Sequence, residues 1–293
     1  MRLATLRRNG RFEAAVRSNQ HYIPLPVLNH HTGASWPVDV GELLGSERFW
    51  VLKAWVEGEG AAVLAGLCEA GEALDEVDFG PLYTRPGKIW GIGLNYREHA
   101  GDLDESVPEG LPGSFMKPAT TAIGPGDAIH IPRMSERTTA EAELGVVFGR
   151  RCKDVPQEDW LTAVAGYTTI IDMTAEDILR RNPRFLTLSK SFDTFLALGP
   201  ELVTADEVED VLALEVRTVH NGATHAANQV ANMTYRPDYL VALHSQVMTL
   251  EPGDLLSTGT PGAAPIAPGD VVECHIDGFL PLACSVVDDK VEG

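Results

Sequence analysis

Apolar and polar positions alternate most regularly over residues 138–149, Thr-Thr-Ala-Glu-Ala-Glu-Leu-Gly-Val-Val-Phe-Gly. That period predicts a strand, because side chains two apart leave an extended chain by the same face. Ala142, Leu144, Val146 and Phe148 then form an apolar face that points to a core, and Glu141 and Glu143 share the opposite face. Further alternating or β-branched runs predict strands at 3–6, 12–16, 21–25, 89–93, 128–131, 167–172, 211–219, 255–258 and 271–276. Asn221-Gly222 is a hairpin signal. Helical spacing appears over 40–68, where Leu43, Leu44, Trp50, Leu52, Trp55 and Val56 make a stripe that Gly58-Glu-Gly60 breaks. It returns over 160–165, over 174–181 ahead of Pro183, and over 239–250.

A Pro/Gly joint at 79–88 predicts a small α+β N-terminal domain over 1–80 and a larger domain over 81–293. The predicted class is α+β, mostly β. No internal repeat is visible.

Two carboxylates side by side over an apolar strand repel each other unless a cation sits between them, and a divalent metal is the simplest such cation. A solvent-facing acidic strand fits the same two residues, and Glu-x-Glu alone does not choose between the readings. Asn95 reads as the cap of a short helix carrying His99. Residues 101–114 are acidic, broken by Pro and Gly, and read as a loop in the position of a lid. The adjacent His30 and His31 point different ways in either regular element and read as loop residues.

Charge narrows the partners. The 293 residues carry 23 Lys plus Arg against 42 Asp plus Glu, a net charge of -19. That field repels phosphate backbones, which argues against nucleic acid, and any anion site must be locally basic or hold a metal. No apolar run approaches a membrane span, so no membrane partner is expected. Cys68, Cys152, Cys274 and Cys284 form no CxxC pair and read as reduced thiols of a cytoplasmic protein.

In order along the chain stand Gly93-Leu-Asn-Tyr-Arg-Glu-His99, Phe115-Met-Lys-Pro118, Glu141-Ala-Glu-Leu144, Ile171-Asp-Met-Thr-Ala-Glu-Asp177, Lys190-Ser-Phe-Asp-Thr-Phe195, Gly199-Pro200 and Thr258-Gly-Thr-Pro261. This series resembles the fumarylacetoacetate hydrolase family over residues 85 to 288, with 1–80 similar to the small N-terminal domain of some bacterial members. The resemblance implies a mixed β-roll or barrel-like core, a homodimer, and Mg²⁺ or Mn²⁺ at its mouth. It makes Glu141, Glu143 and Asp172 the metal ligands, a hard oxygen set suited to those ions. Lys190 resembles a catalytic lysine and Lys117 a substrate-binding one. His99 resembles the histidine that activates water with a nearby acid, here Asp102. Gly259 and Thr260 resemble the carboxylate-binding turn.

Two positions depart from the pattern. Glu176 and Leu179 stand where many relatives carry Arg and Gln, and Arg180, Arg181 or Arg184 is expected to compensate, with Arg180 taken as substrate-binding. The implied activity is metal-dependent cleavage of a C–C bond beside a 2-oxo acid through a pyruvate enolate, as an acylpyruvate hydrolase or an oxaloacetate decarboxylase. The implied partner is a small anionic 2-oxo acid. Hydratase or keto–enol isomerase chemistry, and a binding protein that kept only the fold, are the alternatives.

Overall fold

Strand Thr138–Phe148 sits at the centre of the larger sheet and pairs antiparallel with Val164–Ala175. The computed structural model describes residues 1–96 and 110–290. Among them the larger sheet has thirteen strands and a second sheet has five. From Val164–Ala175 the larger sheet runs one way through Glu201–Thr204 to the N-terminal strands. The other way it passes through Leu255–Ser257 and Ile89–Gly93 to Gly113–Lys117. The architecture is α+β with strands predominating, as predicted.

Both faces of the central ladder are covered. Ala142, Leu144, Val146 and Phe148 pack with Ile171 and Met173 against Val216, Val272 and Cys274 of the smaller sheet. Val147 and Ile170, on the opposite face, join Leu3, Val16, Leu25, Leu43, Phe49 and Leu52 of the N-terminal segment. Each Val, Leu, Ile, Phe or Met side chain among them stabilises the fold by about 1.5–3 kcal/mol when fully buried.

The N-terminal strands Arg2–Arg8, Arg11–Ser18 and His21–Pro24 form a meander. Its first strand hydrogen-bonds Glu201–Thr204, so sheet and core run across the composition break near residue 80.

Several elements differ from the sequence expectation. Thr174 and Ala175 belong to the strand, because their pairing with Thr139 and Thr138 overrides local helix propensity, and the helix is Glu176–Arg181. Residues 157–163 form 3-10 turns, and Val164 already starts a strand. The 211–219 run divides into a 3-10 turn at Val211–Ala213 and the strand Glu215–His220. His30 and His31 end the helix Leu25–Thr32. Among the described residues no helix is long and apolar enough to cross a membrane, and all four cysteines are free.

Candidate active site

Glu141 stands directly opposite Asp172 in the antiparallel register, and Glu143 opposite Ile170. Three carboxylates therefore share one face of two paired strands. One oxygen from each lies within 4.8 Å of the others, and among the described residues this is the cluster able to hold a metal ion. Glu143 and Asp172 are buried, while the Glu141 side chain keeps 12% of its surface exposed, which marks the open side.

The surroundings fix each carboxylate separately. Glu143 Oε2 accepts from the Ser257 hydroxyl at 2.5 Å and from the Gly259 backbone N–H at 2.7 Å. Gly259 adopts φ +96°, and a Cβ there would meet the Asn95 Cβ at 2.7 Å, so the turn requires glycine. Asn95 clamps this turn, its side-chain amide donating to Thr258 O at 2.7 Å and Tyr235 O at 2.9 Å. The helix it was expected to cap lies outside the described residues.

Two lysines face the cluster. Lys190 Nζ donates to Glu141 Oε2 at 2.7 Å and Asp172 Oδ2 at 2.9 Å, and lies 4.6 Å from the centre of the Phe115 ring. Lys117 is buried, with Nζ 2.5 Å from Asp172 Oδ1 and donating to Met173 O and Phe195 O. Burial pulls the Lys117 ammonium down to about 8, against the attraction of Asp172. Burial also opposes the charge on Lys190, but Asp172, Glu141 and Glu143 together outweigh it and raise its pKa. Glu143 is pushed up to about 8, first by burial and then by Asp172 and Glu141.

These residues fit a hard divalent cation. All three donors are carboxylates, no thiol or imidazole joins them, and one oxygen of each comes close enough to the others to share one ion. Three carboxylates and two ammonium groups sum formally to −1, and a divalent ion would bring the site to +1, which favours an anionic ligand.

The remaining predicted residues are distributed as follows. Thr260 Oγ1 is held within its own turn by Gly262, and Gly259 directs its N–H at Glu143. Arg180 is 62% exposed, with its guanidinium on Glu176 at 2.7 Å. His99 and Asp102 lie outside the described residues. Ser257 and Asn95 were missed as supports. The only signal in the sequence was their place beside the Thr258-Gly-Thr-Pro261 and Gly93–His99 motifs.

Residues 88–287 match the family model described as fumarylacetoacetate (FAA) hydrolase C-terminal. The mitochondrial oxaloacetate tautomerase FAHD2A of Homo sapiens is 36% identical over 211 residues, 69% of this chain and 67% of that protein. An uncharacterized protein of Pyrococcus horikoshii is 40% identical over 200 residues, 67% of this chain and 86% of that one. The maleylpyruvate hydrolase structure from Sphingobium sp. SYK-6 superposes with a TM-score of 0.80 at 30% identity, covering 98% of this chain and 100% of that one. A second structure of that hydrolase, in complex with manganese (II) ion and pyruvate, gives a TM-score of 0.79 at 28% identity, covering 98% and 99%.

Proposed function

Because this chain belongs to the fumarylacetoacetate hydrolase family, we propose that it is a divalent-metal-dependent enzyme that forms the enolate of a small 2-oxo acid. The observation that carries the reading is the facing of Glu141, Glu143 and Asp172 with Lys190 against two of them. A bound Mg²⁺ or Mn²⁺ would supply Lewis acidity at the 2-oxo and carboxylate oxygens.

The chain's own groups do the rest. Ser257 and the Gly259 N–H hold Glu143 in one orientation, and Lys117 holds Asp172. The Lys190 ammonium, kept charged by its carboxylate neighbours, presents positive potential where negative charge builds up on the substrate oxygen. Phe115 and Phe195 exclude water beside the two lysines.

The leading reading is turnover of an oxaloacetate-type acid, by loss of CO₂ or by a keto–enol proton shift. Both pass through one enolate and need no water-activating base. The similarity to oxaloacetate tautomerases supports it. The second reading is acylpyruvate hydrolysis, supported by the match to maleylpyruvate hydrolase along nearly the whole chain. It requires a base for water, the role expected of His99 with Asp102.

The test runs three assays on chelator-stripped protein with and without Mn²⁺: pyruvate release from oxaloacetate, decay of enol-oxaloacetate absorbance, and hydrolysis of fumarylpyruvate. Metal-dependent turnover in either oxaloacetate assay is expected. Turnover of fumarylpyruvate alone would establish the second reading, and inertness in all three would end both.

A further inference from the structure

One tight turn lies between the supports of the two active-site lysines. Lys190, whose ammonium donates to Glu141 and Asp172, leads into Ser191-Phe-Asp-Thr-Phe195. The Phe195 N–H closes the turn by donating to Phe192 O at 3.2 Å. The Phe195 carbonyl in turn accepts from Lys117 Nζ at 2.6 Å and from the Met173 N–H at 3.1 Å. Leu196, the next residue, lies opposite Asp172 in the antiparallel ladder. A shift of this turn would therefore be felt at both ammonium groups.

Thr194 is the third residue of the turn and adopts φ +69°. A positive φ at that place is normally supplied by Gly or Asn, and for a β-branched residue it is an outlier. Among the described residues six other than glycine have positive φ: three are Asn, one is Asp, and Thr194 alone is β-branched. Such a conformation persists only where the surroundings over-determine it. Here the side chain does so, its hydroxyl oxygen accepting the His130 N–H at 2.9 Å. His130 belongs to Ala128–Ile131, the terminal strand of the smaller sheet, whereas Leu196–Leu198 belongs to the larger one. Thr194 thus ties the edge of one sheet to the turn that enters the other. Glycine would relax the backbone but offer no acceptor, and valine would keep the shape without the oxygen.

We propose that Thr194 is a positioning residue for Lys117. Its hydroxyl, held on the His130 N–H, keeps the turn in a strained shape that fixes the Phe195 carbonyl. That carbonyl, with Met173 O, holds the Lys117 ammonium against Asp172. The effect on turnover rests on the enolate-forming reading above, whereas the placement of Lys117 does not.

The experiment compares Thr194→Val, Thr194→Gly and Thr194→Ser in the full chain. With Mn²⁺ and oxaloacetate, Thr194→Val and Thr194→Gly should lower kcat by about tenfold or more with KM changed less than about twofold, the mark of misplaced rather than missing groups. Thr194→Ser, which keeps the oxygen, should restore most of kcat. In metal-free protein, acetylation of Lys117 by an N-hydroxysuccinimide ester, read by peptide mass mapping, should rise several-fold in Thr194→Val and Thr194→Gly but not in Thr194→Ser. The exposed Lys153 serves as the internal reference. Thr194→Gly should melt close to wild type, because relief of the positive φ offsets the lost hydrogen bond, so that turnover falls without a matching loss of stability. Wild-type turnover and Lys117 protection in Thr194→Gly, or equal behaviour of Thr194→Val and Thr194→Ser, would overturn the proposal. A wild type inert toward oxaloacetate and fumarylpyruvate would end the enolate reading alone, and the Lys117 labelling would still decide the role of Thr194.

Discussion

Glu141 and Asp172 are cross-strand partners thirty-one positions apart, and the Lys190 ammonium bridges them at 2.7 and 2.9 Å. A cation already occupies the space between two carboxylates, which makes that space the point where charge controls stability and chemistry together. Five expectations follow from it and its supports.

Asp172→Asn and Glu141→Gln should abolish stabilisation by Mn²⁺. A ligand at 100 times its dissociation constant adds about 2.7 kcal/mol, which raises the melting temperature by about 5 °C or more in a chain of this size. Melting curves with and without Mn²⁺ measure it. A shift retained in either variant would place the ion elsewhere.

Metal binding should release a proton. Burial raises the Glu143 pKa to about 8 in the metal-free protein, and a ligating carboxylate must be ionised. Apparent Mn²⁺ affinity therefore rises with pH up to about 8. Titration calorimetry in buffers of different ionisation enthalpy counts the proton.

Without metal the same shift links stability to pH. Because the folded pKa of Glu143 lies above its unfolded value near 4.3, its contribution is fully present below that value and is lost as pH rises through about 8. Lys117, lowered to about 8, acts oppositely. Its penalty stands below 8 and fades as pH rises toward its unfolded value of about 10.4. Denaturant melts of chelated protein should show a minimum near pH 8, and Glu143→Gln should flatten the acid limb.

Replacing Lys190 by Met should separate the two roles of the ammonium. Removing one partner of a buried ion pair costs about 3–5 kcal/mol, and Mn²⁺ should recover much of it by neutralising the carboxylates. Turnover should stay about 10²-fold down, since the fixed positive charge at the substrate oxygen is gone. Full recovery of both by the metal would reduce Lys190 to a counter-ion.

Gly259→Ala should strain the turn that orients Glu143. With φ at +96° and Asn95 Cβ 2.7 Å from the new methyl, the cost is about 1–3 kcal/mol. Mn²⁺ affinity should fall as well, because the displaced N–H is a donor to Glu143. Paired melting and metal titrations measure both effects.

Local pattern carried part of this protein. The two-residue alternation around Glu141 and Glu143 was legible because face assignment depends only on neighbours along an extended chain, and the two faces found separate cores. The end of the strand before the helix was misplaced at Thr174, where pairing with Thr139 decided. The same limit hid Ser257 beneath Glu143.

Composition, face alternation and motif order therefore determined the fold class and the identity of three acidic side chains. Tertiary structure alone set Glu141 against Asp172, laid Arg2–Arg8 along Glu201–Thr204, and turned Lys117 onto Asp172. Strand register and lysine placement follow from how cores built by distant segments close on one another, and no window of neighbouring residues contains that information.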